Sequence, residues 1–411
     1  MPKASRTRTA RLAARLLAGA ALLVAAGAAR AEVNVVKLGV LTDLSGFAAD
    51  STGEGSVVAA RLAVEDFLKE QPRIKVEVIQ SDHQNKPDIG SATARRWIAE
   101  GQVDAILDVP FSSVALAVQE VVRDSKAAFI ASGPGTSDLT GPKCSANTVH
   151  WTYDTWALAH GTALALVRAG KTKWFFLTAD YAFGHALEAD AARVVKQEGG
   201  TVVGGVRHPT AAADFSSFLL QAQASRAQVI ALANAVGDTV NSVKQAAEFG
   251  ITGGGQDLAA LLMQLSDVHA IGLKDAQGLY LTEGFYWDTD PGTRAFADRF
   301  AQAMKGRRPT ANQAGVYAGA LAYLRAAAAS GSTDGRTVVA RMKAEPTNDP
   351  LFGEGRVRED GRHIHPMYLF QVKTPAESKG PFDYYKRVQT IPAAEAFRPL
   401  AEGRCPLVKA P

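Results

Sequence analysis

Residues Ala105–Val122 read AILDVPFSSVALAVQEVV. Ala105–Asp108 is a short apolar run of the kind that makes a buried strand, and Val114–Val122 continues with apolar residues at helical spacing. A serine pair, Ser112 and Ser113, stands at the join. The first turn of a helix leaves backbone N–H groups without partners, so a serine there either caps the helix or faces a ligand. Those amides and the positive end of the helix dipole also favour an anion. The next unit repeats the layout: Ala127–Ser132 reads as a strand, and Gly133-Pro-Gly-Thr-Ser-Asp138 is a glycine-rich turn that exposes amides. Two such turns on consecutive parallel strands face one crevice at the carboxyl edge of a sheet.

The same alternation runs upstream and downstream. Val36–Leu41 and Ile74–Ile79 read as strands, while Gly55–Phe67 and Pro87–Ala99 read as helices. Near Val149-His-Trp-Thr-Tyr-Asp154 the rhythm restarts. Strands are predicted at Lys173–Ala179, Thr201–Val206, Val229–Asn234, Leu258–Met263 and Leu279–Thr282, with helices over Phe183–Gln197, Asp214–Ala224 and Val236–Phe249. Strands alternating with helices give parallel sheets covered on both faces. Beyond Glu283 no third unit begins. Helices at Ala311–Ser330 and Thr337–Lys343 and an extended segment His365–Val372 complete the earlier units, so the chain must cross between them more than once.

The chain has 411 residues, 47% hydrophobic and 21% charged, enough for two ordinary domains with substantial cores. Its formal charge of +4 is carried by the first 31 residues, which hold six cations and no acid. That stretch resembles a secretory signal: a basic start, an apolar Leu16–Gly27, and Ala29-Arg30-Ala31 as the cleavage site. Removing its six cations from 45 leaves 39 against 41 acidic side chains, a balance without the basic footprint of a nucleic-acid binder. Export also bears on the only two cysteines, Cys144 and Cys405, which an oxidising compartment joins into one bridge.

Catalytic and metal signatures are weak. Gly53-Glu-Gly55-Ser-Val-Val58 lacks the last glycine of a dinucleotide fingerprint. His363-Ile-His365 has no CxxC or HExxH partner and reads as a strand near a crossover. Ser45, Ser112 and Ser132 have no histidine placed beside them. Asp180, Asp238 and Asp267 lie near strand ends, as turn formers or as contacts to a cationic ligand group. The aromatics Phe47, Phe111, Tyr181, Phe183 and Phe285-Tyr-Trp287 also fall at strand ends or crossovers, where they would suit the walls of a small-molecule pocket. The expectation is a binding protein rather than an enzyme, with no cofactor and no metal.

Lys37-Leu-Gly-Val-Leu-Thr-Asp-Leu-Ser-Gly46 and Ala59–Phe67 (AARLAVEDF) resemble the opening of periplasmic solute-binding proteins of the leucine/isoleucine/valine-binding family. The resemblance continues through the Ala105–Val122 stretch, Ser132–Thr140, Asp180–Gly184 and Ala246–Gly250. It implies an α/β fold of two doubly wound parallel-sheet lobes joined by a three-crossover hinge, the type I periplasmic binding protein. The boundaries read from the sequence are 32–153 plus 284–362 for lobe one, and 154–283 plus 363–411 for lobe two and its tail. The resemblance further implies delivery of a ligand to an inner-membrane ABC permease and its ATPase. By position, the family's ligand serine falls on Ser112 or Ser113, and its next-loop contacts fall on Gly133, Pro134, Gly135 and Thr136. Its lobe-two tyrosine falls near Tyr181 or Phe183, and a later loop falls on Asn234–Asp238. The acidic partner of an amino-acid ammonium should lie near Leu262–Ser266, which reads LMQLS and holds no carboxylate. A subgroup that looks like this sequence takes aromatic carboxylates. The expected ligand is therefore a small acid with an aromatic body, resting on Tyr181, Phe183 and Phe285; alternatives are an amino acid ligand, or an extracellular sensor of the same fold.

Overall fold

β1 (Val35–Thr42) is the strand around which the first sheet forms. It pairs in parallel with β2 (Lys75–Asp82) on one side and with β3 (Ala105–Asp108) on the other. β4 (Ala128–Ala131) and β5 (Thr148–His150) extend the parallel order to β2-β1-β3-β4-β5. Both faces are covered, as the continuous apolar strands require. Helices Gly53–Glu70 and Ala311–Ser330 pack on one face, and Pro87–Ala99 and Ser112–Arg123 on the other. Gly39 is needed in β1 because a Cβ there would lie 2.7 Å from the Trp97 ring. The computed structural model describes residues 33–409. The leader read in residues 1–31 and its cleavage after Ala31 lie outside them.

The second sheet repeats the design. β6 (Lys173–Ala179) is flanked by β7 (Thr201–His208) and β8 (Val229–Ala233), and β9 (Asp257–Ala260) completes the parallel order β7-β6-β8-β9. Helices Thr155–Arg168 and Ala182–Gln197 cover one face, while Ser216–Ala224 and Gly237–Glu248 cover the other. β10 (Tyr280–Glu283) was expected to join this sheet. It instead pairs antiparallel with a strand from the end of the chain, because the later segment runs back alongside it. β11 (Pro346–Asp349), β12 (Gly353–Val357) and β13 (His363–Ile364) form a small antiparallel sheet. β14 (Met367–Val372) and β15 (Tyr385–Ile391) join β10 in the order β10-β14-β15.

The cores show where the chain passes between lobes. Trp151 is buried in the first lobe's core and Tyr153 in the second's. Leu281 belongs to the second and Phe285 to the first. Val357 is still in the first and Ile364 is in the second. Three crossings result. A fourth link is covalent: Phe397 is buried in the lobe-two core, while Cys405 is disulfide-bonded to Cys144 of lobe one, Cα–Cα 5.6 Å.

The Ala311–Ser330 helix brings a new residue to the lobe interface. Thr310 and Gln313 form a reciprocal capping box, with Thr310 N donating to Gln313 Oε1 at 3.0 Å, and the helix stops at Gly331 with φ +63°. Its N-terminal turn lies against the ends of β4 and β5: a Cβ on Gly315 would meet Thr152 Oγ1 and Ser132 Oγ. That close approach sets Asn312 between the lobes.

Candidate ligand-binding cleft

At the carboxyl end of β3 the backbone turns through left-handed conformations, Asp108 with φ +76° and Val109 with φ +56°. A β-branched residue in this region is strained, at a cost on the order of 1–3 kcal/mol. Surrounding bonds hold it. Val109 N donates to Leu41 O at 2.9 Å, and the Asp108 carboxylate accepts from Thr42 Oγ1 at 2.8 Å and Gly133 N at 3.1 Å. Burial pushes the Asp108 pKa up to about 6. The turn presents Pro110 and Phe111 to the space between the lobes. Phe111 packs edge-on against Phe47, ring centroids 5.1 Å apart.

The serines do not act as helix caps. Phe111 occupies the cap position without a side-chain bond, and the helix begins at Ser112. Ser112 is buried and its Oγ accepts from Thr136 N at 3.1 Å; Ser113 is half-buried. Neither is among the residues lining the cleft. The Gly133–Thr136 loop is also tied inward, because its groups satisfy neighbouring turns. Gly133 N serves Asp108, Thr136 N serves Ser112, Pro134 O accepts from His150 Nε2 at 2.6 Å, and Gly135 O accepts from Thr155 N at 2.7 Å. The cradle of free amides expected there is correspondingly smaller. Gly133 and Gly135 line the cleft, while Pro134 and Thr136, expected beside them, do not. Gly135 has a further reason to be glycine: a Cβ would lie 2.6 Å from the Phe183 ring of the opposite lobe.

Lobe two contributes Tyr181 and Phe183 from the start of the Ala182–Gln197 helix, their ring centroids 5.9 Å apart. Tyr181 reaches Phe111 across the gap at 6.3 Å. Burial raises the Tyr181 phenol above its ordinary pKa and keeps it neutral. After β8, Ala235 and Val236 form the adjoining wall, Val236 with φ +48°, a second strained β-branched residue at the cleft.

Three further expected ligand residues lie elsewhere. Asn234 is buried in its own network, donating from Nδ2 to Ser242 Oγ at 3.0 Å and accepting from Thr239 Oγ1 at 2.9 Å. Asp238 accepts from Ala211 N and Ala212 N, holding a neighbouring loop, and burial raises its pKa to about 6. Phe285 belongs to the lobe-one core, against Phe296 and Phe352, because the chain has already crossed back at that point.

Residues the pattern did not single out take part instead. Ala48, Ser51 and Thr52 close one side, and Tyr153, Leu262, Gln264 and Asn312 line the interior. Gln264 lies in the LMQLS segment, so its position was marked though its role was not; Asn312 had no sequence signal at all. Gln264 N donates to Asp267 Oδ2 at 2.8 Å, and burial pushes Asp267 up to about 7. The space left between the lobe walls is about 30 Å³, opening to solvent, and no residue lining it carries a charge. Among the described residues, no cluster of histidine, cysteine or acidic side chains is arranged to hold a metal.

Two parallel-sheet lobes, three crossings and a cleft at the strand ends correspond to a family profile for periplasmic binding proteins that matches residues 35–381. The chain belongs to the periplasmic binding protein family. Within this type I fold it is similar to a periplasmic binding protein from Burkholderia mallei, 49% identical with TM-score 0.89, covering 92% of this chain and 100% of that one. It is also similar to a branched-chain amino acid ABC transporter periplasmic ligand-binding protein from Burkholderia xenovorans, 39% identical, TM-score 0.81, covering 90% and 99%. A Leu/Ile/Val-binding protein homolog from Brucella suis is 27% identical over 92% of this chain and 96% of its own length. The protein is thus a periplasmic binding protein of ABC-transporter type, in the leucine/isoleucine/valine-binding group. In such a protein the two lobe walls close on a solute, and here those walls are aromatic and uncharged.

Proposed function

We propose that this protein captures a small organic acid with an aromatic body and hands it to an inner-membrane ABC permease and its ATPase. The observation that carries the reading is the wall itself: Phe111 and Tyr153 with Tyr181 and Phe183, and no charged side chain lining the space between them. Aromatic rings on both sides favour a flat apolar body through offset and edge contacts. An α-amino acid needs a carboxylate for its ammonium, and Leu262–Ser266 offers the neutral amide of Gln264 instead. The acid end would lie at the start of the Ser112–Arg123 helix beside Phe111 and the Gly135 loop, where amides and the helix dipole favour an anion. The likeness to the Burkholderia xenovorans protein keeps a second reading, a branched-chain amino acid, in view. Calorimetry on protein stripped of copurified ligand separates the two. Benzoate-type acids should bind and leucine should not; tight leucine binding with no response to aromatic acids would establish the amino acid reading in its place.

A further inference from the structure

A second cavity lies within lobe one, between the Ala311–Ser330 helix, the Gly335–Ala344 helix and β11, and it shares no lining residue with the cleft. It holds about 340 Å³ and opens to solvent, within the size range of small-molecule sites. Ala318, Leu321, Ala322 and Ala326 give it an apolar wall. Three polar atoms of its lining residues are buried without a hydrogen-bond partner among the described residues: Trp151 Nε1, Arg341 Nε and Asp349 Oδ2. Trp151 is fully buried and Asp349 is 9% exposed. The other atoms of these groups are engaged. Asp349 Oδ1 accepts from Leu351 N and Phe352 N, each at 2.8 Å, and Arg341 pairs with Glu345 through Nη2. A buried indole N–H and a buried carboxylate oxygen left free are costly, and they call for partners from outside the chain.

The charges and the donor inventory narrow what those partners are. The charged lining residues balance, Arg325 and Arg341 against Glu345 and Asp349, so the cavity has no net charge to draw an ion. Trp151 and Arg341 only donate, while the Asp349 carboxylate only accepts. A carboxylate or phosphate ligand leaves Asp349 Oδ2 without a donor, and an ammonium leaves both N–H groups without an acceptor. A hydroxyl donates and accepts, and a molecule carrying several serves all three atoms at separate points of the cavity while its C–H surface rests on the alanines. We propose that this cavity is a second ligand site, taking an uncharged polyhydroxy compound of about monosaccharide size. The proposal stands apart from the organic acid reading of the cleft.

Indole N–H resonances of protein carrying isotope-labelled tryptophan test it, with the Trp151 signal assigned from Trp151→Phe. D-glucose, D-ribose and myo-inositol are titrated at about pH 7.5, where Asp349, its pKa raised by burial to about 6, is ionised. Acetamide, a single group that donates and accepts, is titrated beside them. At least one polyhydroxy compound should shift the Trp151 signal saturably, with a Kd on the order of 1–10 mM. Ala322→Phe, which fills the cavity, should abolish that shift. Asp349→Asn, which keeps Oδ1 for Leu351 and Phe352 and removes the charge, should weaken binding about 5-fold. Thermal melts establish that both variants fold. No saturable shift with any of the three compounds overturns the proposal, and means that water alone fills the cavity. Unchanged affinity in either variant overturns it by placing the compound elsewhere, and acetamide binding more tightly than all three overturns the ligand class.

Discussion

Arg362 donates through Nη2 to the carbonyl oxygen of Trp151 at 2.7 Å, and this bond ties the third lobe crossing to the first. The same guanidinium donates through Nη1 to Tyr153 O at 2.8 Å and lies over the Phe397 ring at 4.6 Å. His365 Nε2 adds a bond to Thr152 O at 2.7 Å. Three consecutive carbonyls of the first crossing are thereby held by side chains of the third. The segment read from sequence as a strand beside a crossover is the hinge's own staple. Stitched crossings twist together during closure and resist sliding.

Arg362 is fully buried, with Asp154 Oδ2 at 3.8 Å. Arg362→Met should destabilise the protein by about 3–5 kcal/mol, because it strands a buried carboxylate and the carbonyl acceptors of Trp151, Tyr153 and His363. Arg362→Lys should recover only part of this, since an ammonium cannot reproduce the planar fork. Urea unfolding of both variants measures the difference.

The Cys144–Cys405 bond fastens a tail rooted in the lobe-two core to lobe one. Replacing both cysteines with serine should cost about 2–5 kcal/mol. The same loss should appear when the unaltered protein is melted with reductant, and reductant should leave the double variant's melting temperature unchanged.

Gly135→Ala tests lobe contact directly. The added methyl would meet the Phe183 ring, which sits on the other lobe, so the strain falls on the closed state rather than on either core. Overpacking of this kind typically costs 1–3 kcal/mol. Ligand affinity should fall about 10- to 100-fold with little change in the unliganded melting temperature, and small-angle scattering should show a more open average shape.

Asp267 gives a pH signature. Burial raises its pKa from 3.8 to about 7. A carboxyl that holds its proton more tightly when folded contributes stability fully below the unfolded value, and loses it as pH climbs through the folded one. Asp267→Asn should therefore flatten the decline in stability between about pH 4 and pH 7, by on the order of 3 kcal/mol. His365, whose pKa burial lowers to about 4, works in the opposite sense: its contribution is present above about 6.5 and lost as pH falls through 4. Melting temperatures from pH 4 to pH 8 for both proteins resolve the effect, and parallel curves would contradict it.

Strands and helices whose patterning is local were legible in the chain alone. Continuous apolar runs such as Lys173–Ala179, and helices opened by Pro87 or closed by Gly331, carry their own signals in neighbouring residues. The aromatic turns at Phe111, Tyr181 and Phe183 were equally legible, because strand ends of parallel sheets gather at one edge. Which residues share the cleft was settled by packing between distant segments. Phe285 looked like a wall residue and became core, because the chain crosses back to lobe one just before it. Asn234 and Asp238 were spent on their own loops, while Asn312 reached the cleft only because Gly315 lets a distant helix lie against β4 and β5. A partner two hundred residues away leaves no periodicity in the chain; it is fixed by packing, which the folded lobes alone express.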